Sequence, residues 1–282
     1  LGHKQIIDKL KQYAKEWNGE SVVFSFWPHP KKVVKTDNQI KLLDSLEEKI
    51  QHFTNAKIDH LILYHFDKDF AGMKYNEFVE QILINKLRTK ILAIGYDHKF
   101  GKDRSGEFSK LKEYKKNYGL IVKEIKAYGL ENNNISSTII RKALLDGNIY
   151  LANKYLGYHY SLSGIIIKGE QIGRKIGFPT ANIQIIFPDK LIPAKGVYAV
   201  NVLNKNDRYY GMLNIGNKPT ISTMQDINIE VHIFNFKRDI YNEEITIQFR
   251  KRLRDEKKFS SIEDLQNQLF SDKIKIKKFF KI

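Results

Sequence analysis

Ser136-Ser137-Thr138, followed one helical turn later by Arg141, is a local pattern whose residue types point to phosphate chemistry. Hydroxyls and free backbone N–H groups at a helix start face an anion, and an arginine one turn on adds charge and a fork of donors. The same residues also read as an ordinary serine cap with a surface arginine. Leu1-Gly2-His3 sets a histidine in the first turn of a predicted helix, where an isolated imidazole is usually just solvated. Glu230 and His232 alternate along a predicted strand and so share a face. In the bare sequence Glu230 also reads as a solvent-facing strand residue, and His232 as a packed or surface histidine. No G-x-x-x-x-G-K-[ST], G-x-G-x-x-G or H-E-x-x-H occurs, so phosphate handling needs another cradle.

The elements that would position these residues fall into two textures. Ile6, Ile7, Leu10, Tyr13, Ala14 and Trp17 recur at helical spacing before the strand-like Val22–Phe26. The unit repeats three more times. The stripe Leu42, Leu43, Leu46, Ile50 and Phe53 precedes the apolar run 58–66; Phe78, Val79, Ile82, Leu83 and Leu87 precede 91–94; Leu111 and Tyr114 precede 120–125. Such alternation predicts a parallel sheet covered by helices, with ligands at the carboxyl ends of its strands. A unit of this kind normally begins on a strand, so a leading strand and its loop are expected to be absent from this sequence. Helices over 138–145 and 149–156 form a connector. Beyond about residue 160 the runs 162–168, 196–203, 208–215, 227–234 and 243–249 are β-rich, with a hairpin turn at 204–207, and predict an antiparallel barrel or sandwich. A terminal helix follows, capped by Ser260-Ser261, with Ile262, Leu265, Leu269 and Ile274 on one face.

Composition narrows the function classes. With 282 residues and 42% hydrophobic content the chain suffices for two ordinary domains, and the absence of cysteine excludes disulfides, thiolate zinc sites and a cysteine nucleophile. No apolar run approaches the ~20 residues of a membrane helix. A cytoplasmic protein without a membrane partner is therefore expected. The net charge of +16 favours polyanionic partners, but it comes mostly from dispersed lysines among abundant Ile and Asn. A solvated basic surface is the preferred reading over a nucleic-acid groove.

Three ordered blocks, Ser25-Phe26-Trp27-Pro28-His29-Pro30, 95–101 with Arg104 and Gly106, and Ile135-Ser136-Ser137-Thr138-Ile139-Ile140-Arg141, resemble the adenylyltransferase domain of bifunctional riboflavin kinase/FAD synthetases. The second half resembles the flavokinase domain of the same family through Gly173–Asn182, Gly196-Val197-Tyr198, 214–220, Glu230-Val231-His232 and 253–259. The resemblance covers almost the whole chain, with Pro179-Thr180-Ala181-Asn182 its most diagnostic block. It implies an α/β chain: a Rossmann-like nucleotidylyltransferase domain over 1–156, connector helices included, then an antiparallel flavokinase barrel with a terminal helix over 157–282. The implied activities are phosphorylation of riboflavin to FMN and adenylylation of FMN to FAD, with ATP as donor and Mg²⁺ as cofactor. Small molecules would be the partners, and the chain a monomer or weak homo-oligomer.

The resemblance also implies roles. Glu230 would be the general base of the kinase step. Thr180 and Asn182, read as lying on the turn after Pro179, would contact Mg²⁺ and nucleotide phosphate, and Gly173 and Gly177 would let backbone approach the phosphates. His3, Ser136, Ser137, Thr138 and Arg141 would hold ATP in the adenylyl transfer, with His3 and Arg141 acting on the reacting phosphates. Pro28, His29, Asp97, Phe100 and Arg254 would serve the flavin side. The chain departs from the family pattern in lacking the Gly-x-Phe-Asp-Gly-x-His that usually precedes Leu-Gly-His, so adenylyl transfer is expected to be impaired. Trp27 and His98 replace a frequent acidic residue and a common Phe, which puts the flavin contacts of the first domain in doubt. Another adenylyltransferase, of the pantetheine-phosphate or nicotinamide-nucleotide type, would account for the first half but not for the β-rich second half. A flavin-binding protein without catalysis is separable by ATP-dependent turnover.

Overall fold

The computed structural model describes residues 2–34, 40–95, 101, 111–125, 129–130, 133–169, 172–217 and 227–282. The chain divides into two compact units, residues 1–136 and 137–282. Residues 137–156, read from sequence as a connector, fall in the second unit.

In the first unit α1 (Gly2–Glu16) leads into β1 (Val22–Trp27), and α2 (Pro30–Val34) and α3 (Leu46–Asn55) lead into β2 (His60–His65). The two strands pair in parallel, from Val22 opposite His60 to Trp27 opposite His65. Their entry ends are latched: Asp59 Oδ2 accepts from the Ser21 amide at 2.8 Å and from its hydroxyl at 2.7 Å. Helix α3 starts later than its apolar stripe suggests. Ser45 closes a capping box with Glu48, which leaves Leu42 and Leu43 outside the helix though buried. Trp17 likewise lies past the end of α1 and is exposed.

After α4 (Lys68–Gly72) and α5 (Tyr75–Glu77) the chain winds as a π-helix over Phe78–Lys86, then enters β3 (Ile91–Gly95). Following α6 (Tyr114–Tyr118), β4 (Ile121–Ile125) pairs with β3 in parallel. Val79, Leu83, Ile94, Leu111 and Leu120 form the core of this part. Two short strands, β5 (Gly129–Leu130) and β6 (Asn133–Asn134), close the unit.

The second unit opens with α7 (Ser137–Leu145) and α8 (Ile149–Leu156), which pack on each other. Asn153 ties α8 to the barrel, donating to the Phe249 carbonyl at 2.9 Å and accepting from the Tyr160 amide at 2.8 Å. The barrel comprises β7 (Ser161–Ile167), β8 (Ala181–Ile185), β9 (Gly196–Asn204), β10 (Asp207–Asn217), β11 (Ile227–Ile233) and β12 (Glu244–Arg254). It closes in the order β10-β11-β8-β7-β12-β9, with every pairing antiparallel. Strand β9 is buried along nearly its whole length, its small and apolar residues joined by the buried Asn201 and Asn204, whose side-chain amides donate to Gln248 and Glu243. Phe249 is fully buried between Tyr160 and Tyr198, a burial that stabilises by about 2–3 kcal/mol.

Strand β8 has no counterpart among the strands read from the sequence. A short helix, α9 (Ile172–Lys175), precedes it, and the terminal helix, α10 (Ile262–Phe280), is capped by Ser261, which accepts from the Asp264 amide at 3.0 Å. The buried stripe of α10 differs from the expected one. Asp272 and Ile276 are buried and Leu265 and Leu269 half-buried, whereas Ile262 and Ile274 face solvent. A carboxylate takes an inward position because Arg254 meets it there, at 2.7 and 2.8 Å.

Candidate active site

Glu230 stands mid-strand on β11, with Asn182 of β8 opposite on one side and Asn214 of β10 opposite on the other. Cross-strand partners project from the same face, so these three polar side chains form a row across adjacent strands. Glu230 Oε2 accepts from the Thr180 hydroxyl at 3.1 Å, and Oε1 accepts from the Asn228 amide. The carboxylate is thus clamped through both oxygens while remaining partly exposed. The structure corrects the placement of Asn182: Thr180 ends the turn, and Asn182 is the second residue of β8. Its amide lies against Gly169, at 1.9 Å from where a Cβ would stand.

The turn that presents Thr180 is closed by its own backbone. The Phe178 amide donates to the Gly173 carbonyl at 2.8 Å, and the Phe178 carbonyl occupies the space of a Gly173 Cβ, at 2.3 Å. Glycine at 173 is therefore required by packing within the turn. Gly177 is a glycine for a different reason, a left-handed φ of +79° with open space beside it. His232, 6% exposed, brings Nδ1 to 2.9 Å from the Pro179 carbonyl. Burial pushes the imidazole pKa down; the Pro179 contact opposes this and the Lys273 charge adds to it.

Arg254 lies at the end of β12, where two register shifts irregularise the pairing with β9. Its guanidinium grips Asp272, which is 1% exposed, and also donates to the Asp255 carbonyl at 2.9 Å. Ser137, Thr138 and Arg141 occupy the first turns of α7; Ser136 directly precedes them, and the three hydroxyl residues are exposed. Spacing of three and four residues puts Arg141 above Thr138 and Ser137 on one helix face.

In the first unit Pro28 and His29 follow the carboxyl end of β1, and His29 Nδ1 accepts from the Lys31 amide at 3.2 Å. His3 lies on α1, but its side chain is outside the described ones, and Asp97 and Phe100 are outside the described residues. Sequence reasoning missed Lys49. This half-buried lysine reaches the same strand end, donating to the Phe26 carbonyl at 3.3 Å and the Ser25 hydroxyl at 3.4 Å, 5.5 Å from the Trp27 ring centre. Burial pushes its pKa down, against the pull of Asp44. Beside it Phe24, Phe26, Tyr64, Phe66, Phe70 and Phe78 form one aromatic cluster with centroids 4.5–5.9 Å apart. Asn228 and Asn214 were missed as well. Alternation with Glu230 would have found Asn228; Asn214 needs the β10–β11 register.

Comparison with known proteins separates the two halves in the same order. A family model described as FAD synthetase matches residues 1–139, and one described as riboflavin kinase matches 156–280. The protein "Bifunctional riboflavin kinase/FMN adenylyltransferase" of Haemophilus influenzae is 38% identical over 99% of this chain and 90% of its own length. This chain belongs to that bifunctional family. The Escherichia coli K12 member is 33% identical over 99% of this chain and 88% of its own. Within the family the barrel and its Glu230 row fall in the riboflavin kinase match, and both parallel strand pairs in the FAD synthetase match.

A solved structure described as a macrolide-efflux protein from Streptococcus pneumoniae shares 31% identity and a TM-score of 0.89, covering 96% of this chain and 88% of that one. That description belongs to the other protein. Among the described residues here, no helix is long and apolar enough to cross a membrane.

Proposed function

We propose that the row of polar residues around Glu230 is the riboflavin kinase site of this bifunctional enzyme, with Glu230 as general base. The observation that carries the reading is the convergence of Thr180 and Asn228 on one partly exposed carboxylate in the middle of a strand, with Asn182 opposite it on the neighbouring strand. In the kinase step the primary hydroxyl of riboflavin attacks the γ-phosphorus of ATP, ADP leaves, and the hydroxyl proton passes to Glu230. The hydrogen bonds from Thr180 and Asn228 hold the carboxylate in place to accept that proton. Thr180 and Asn182 offer neutral oxygens beside a carboxylate, a hard-donor set that fits Mg²⁺ sharing its coordination with substrate phosphates. When bound there, Mg²⁺ would neutralise charge on the phosphate oxygens. Gly173 and Gly177 set the turn that brings this backbone to the nucleotide.

The enzyme also converts FMN to FAD. An FMN phosphate oxygen attacks the α-phosphorus of ATP and pyrophosphate leaves. The nucleophile is already anionic, so charge stabilisation matters more than a base. Ser136, Ser137, Thr138, Arg141 and His3 would hold the ATP phosphates; Pro28, His29, Asp97 and Phe100 would serve the flavin, and Arg254, anchored by Asp272, the flavin of the kinase half. The working division is 1–156 for adenylyl transfer and 157–282 for phosphorylation, in a cytoplasmic monomer or weak homo-oligomer whose partners are small molecules rather than nucleic acid or membrane. Incubation with riboflavin, ATP and Mg²⁺, followed by chromatography of riboflavin, FMN and FAD, tests the reading. FMN accumulation in the wild type but not in Glu230→Gln supports it, and equal FMN from both refutes it.

A further inference from the structure

We infer that His232 is a positioning residue of the kinase site, acting through the Pro179 carbonyl to fix where Thr180 stands against Glu230. The inference rests on the reading of Glu230 as the base of phosphorylation.

His232 and Glu230 share a face of β11, and His232 is the inner of the two. Its ring is held edge-on between Phe178, 5.3 Å away, and Phe234, 5.6 Å away. A carbonyl oxygen only accepts, so the 2.9 Å contact with Pro179 requires the proton on Nδ1. In the neutral ring, which burial favours, this fixes the tautomer and leaves Nε2 as a lone pair, buried and without a hydrogen bond among the described residues. A histidine kept for apolar packing would not place one nitrogen on a specific carbonyl while stranding the other. The stranded nitrogen carries a cost that phenylalanine or leucine would avoid.

Pro179 has no N–H, so its carbonyl is the backbone group through which the protein can hold this residue. Thr180 follows immediately, and its hydroxyl donates to Glu230. The turn is held on its other sides by Gly173, which receives the Phe178 amide, and by Gln266, whose amide donates to the Ile176 carbonyl at 3.3 Å. His232 is thus the tether that lies on the same strand as the proposed base. It ties the donor's turn to the acceptor's strand, so that the Thr180 hydroxyl and the Glu230 carboxylate keep their spacing as substrates enter and leave.

Asparagine and glutamine separate this role from packing. Asn places its amide N–H the same number of bonds from Cβ as Nδ1, whereas Gln places it where Nε2 was. Steady-state riboflavin phosphorylation is measured for wild type, His232→Asn, His232→Gln and His232→Leu, with Glu230→Gln alongside. The expected result is kcat within about threefold of wild type for Asn and a loss of about tenfold or more for Gln and Leu, because small misplacements of reacting groups are costly in rate. The KM for riboflavin should change little, and near-ultraviolet circular dichroism of Asn and Gln should coincide. If Leu does not fold, the Asn–Gln contrast decides alone. Equal kcat for Asn and Gln, or a loss confined to KM, would overturn the inference even with Glu230→Gln inactive. An active Glu230→Gln would instead remove the reading on which it rests.

Discussion

Glu230 is held through both carboxylate oxygens, by Thr180 from the turn before β8 and by Asn228 from its own strand. Replacing Thr180 by Val keeps the volume but removes the hydroxyl. It should lower riboflavin phosphorylation by about tenfold or more and raise the Mg²⁺ concentration needed for half-maximal rate, read from a Mg²⁺ titration. Arg254 and Asp272 test a different point at the same scale, because the guanidinium pairs with a carboxylate only 1% exposed. Asp272→Ala leaves the guanidinium without its partner. About 3–5 kcal/mol of stability should be lost in denaturant unfolding, with the midpoint falling more than for truncation of the exposed Ile274. Glu230, the proposed base, was singled out through the Glu-x-His block that carries the family resemblance, not by its residue type or spacing alone. The Arg254–Asp272 pair was not, since nothing local links residues eighteen positions apart, and the stripe of α10 was therefore assigned to apolar residues alone.

Among the elements, the turn before β8 shows why one strand escaped the sequence reading. Pro179 and the glycines at 173 and 177 signal a turn, and that signal masks the short alternation Asn182, Ile183, Gln184, Ile185, in which Ile183 faces the core. The π-helix was hidden for another reason: its apolar positions fit a 3.6-residue period closely enough that the wider bonding, with Leu87 donating to Ile82 at 2.9 Å, leaves no mark on the pattern. The helix–strand alternation and the antiparallel β-rich second half were legible because long amphipathic segments and β-rich runs carry their own periods; the choice of barrel over sandwich came from the family resemblance. Two glycine variants follow from the turn. Gly177→Ala should cost about 1 kcal/mol through its left-handed φ and leave kcat nearly intact, while Gly173→Ala should drive Phe178 aside and lower kcat, measured with thermal midpoints on the same samples. The Ser21–Asp59 latch gives a pH signature. Hydrogen bonds from Ser21 hold the Asp59 pKa below its ordinary 3.8, so the latch contributes fully above that value and is lost as pH falls through the depressed one. The stability difference between wild type and Ser21→Ala should accordingly be constant near neutrality and shrink in acid.

For the molecule as a whole, the two units carry different folds, parallel strand pairs in one and a closed antiparallel barrel in the other, and the two family matches divide the chain in the same order. Such a division predicts that the two reactions can be lost separately. If Arg141 holds the ATP phosphates as proposed, Arg141→Ala should depress FAD formation from supplied FMN about tenfold or more, while FMN formation from riboflavin stays near the wild-type rate. The converse is the most direct test of the central claim. Wild type and Glu230→Gln would each be given riboflavin, and separately FMN, with ATP and Mg²⁺, and the products resolved by chromatography. The account predicts that Glu230→Gln loses FMN formation by about 10²–10⁴-fold yet converts supplied FMN to FAD at the wild-type rate. FMN formation by Glu230→Gln at the wild-type rate would contradict it.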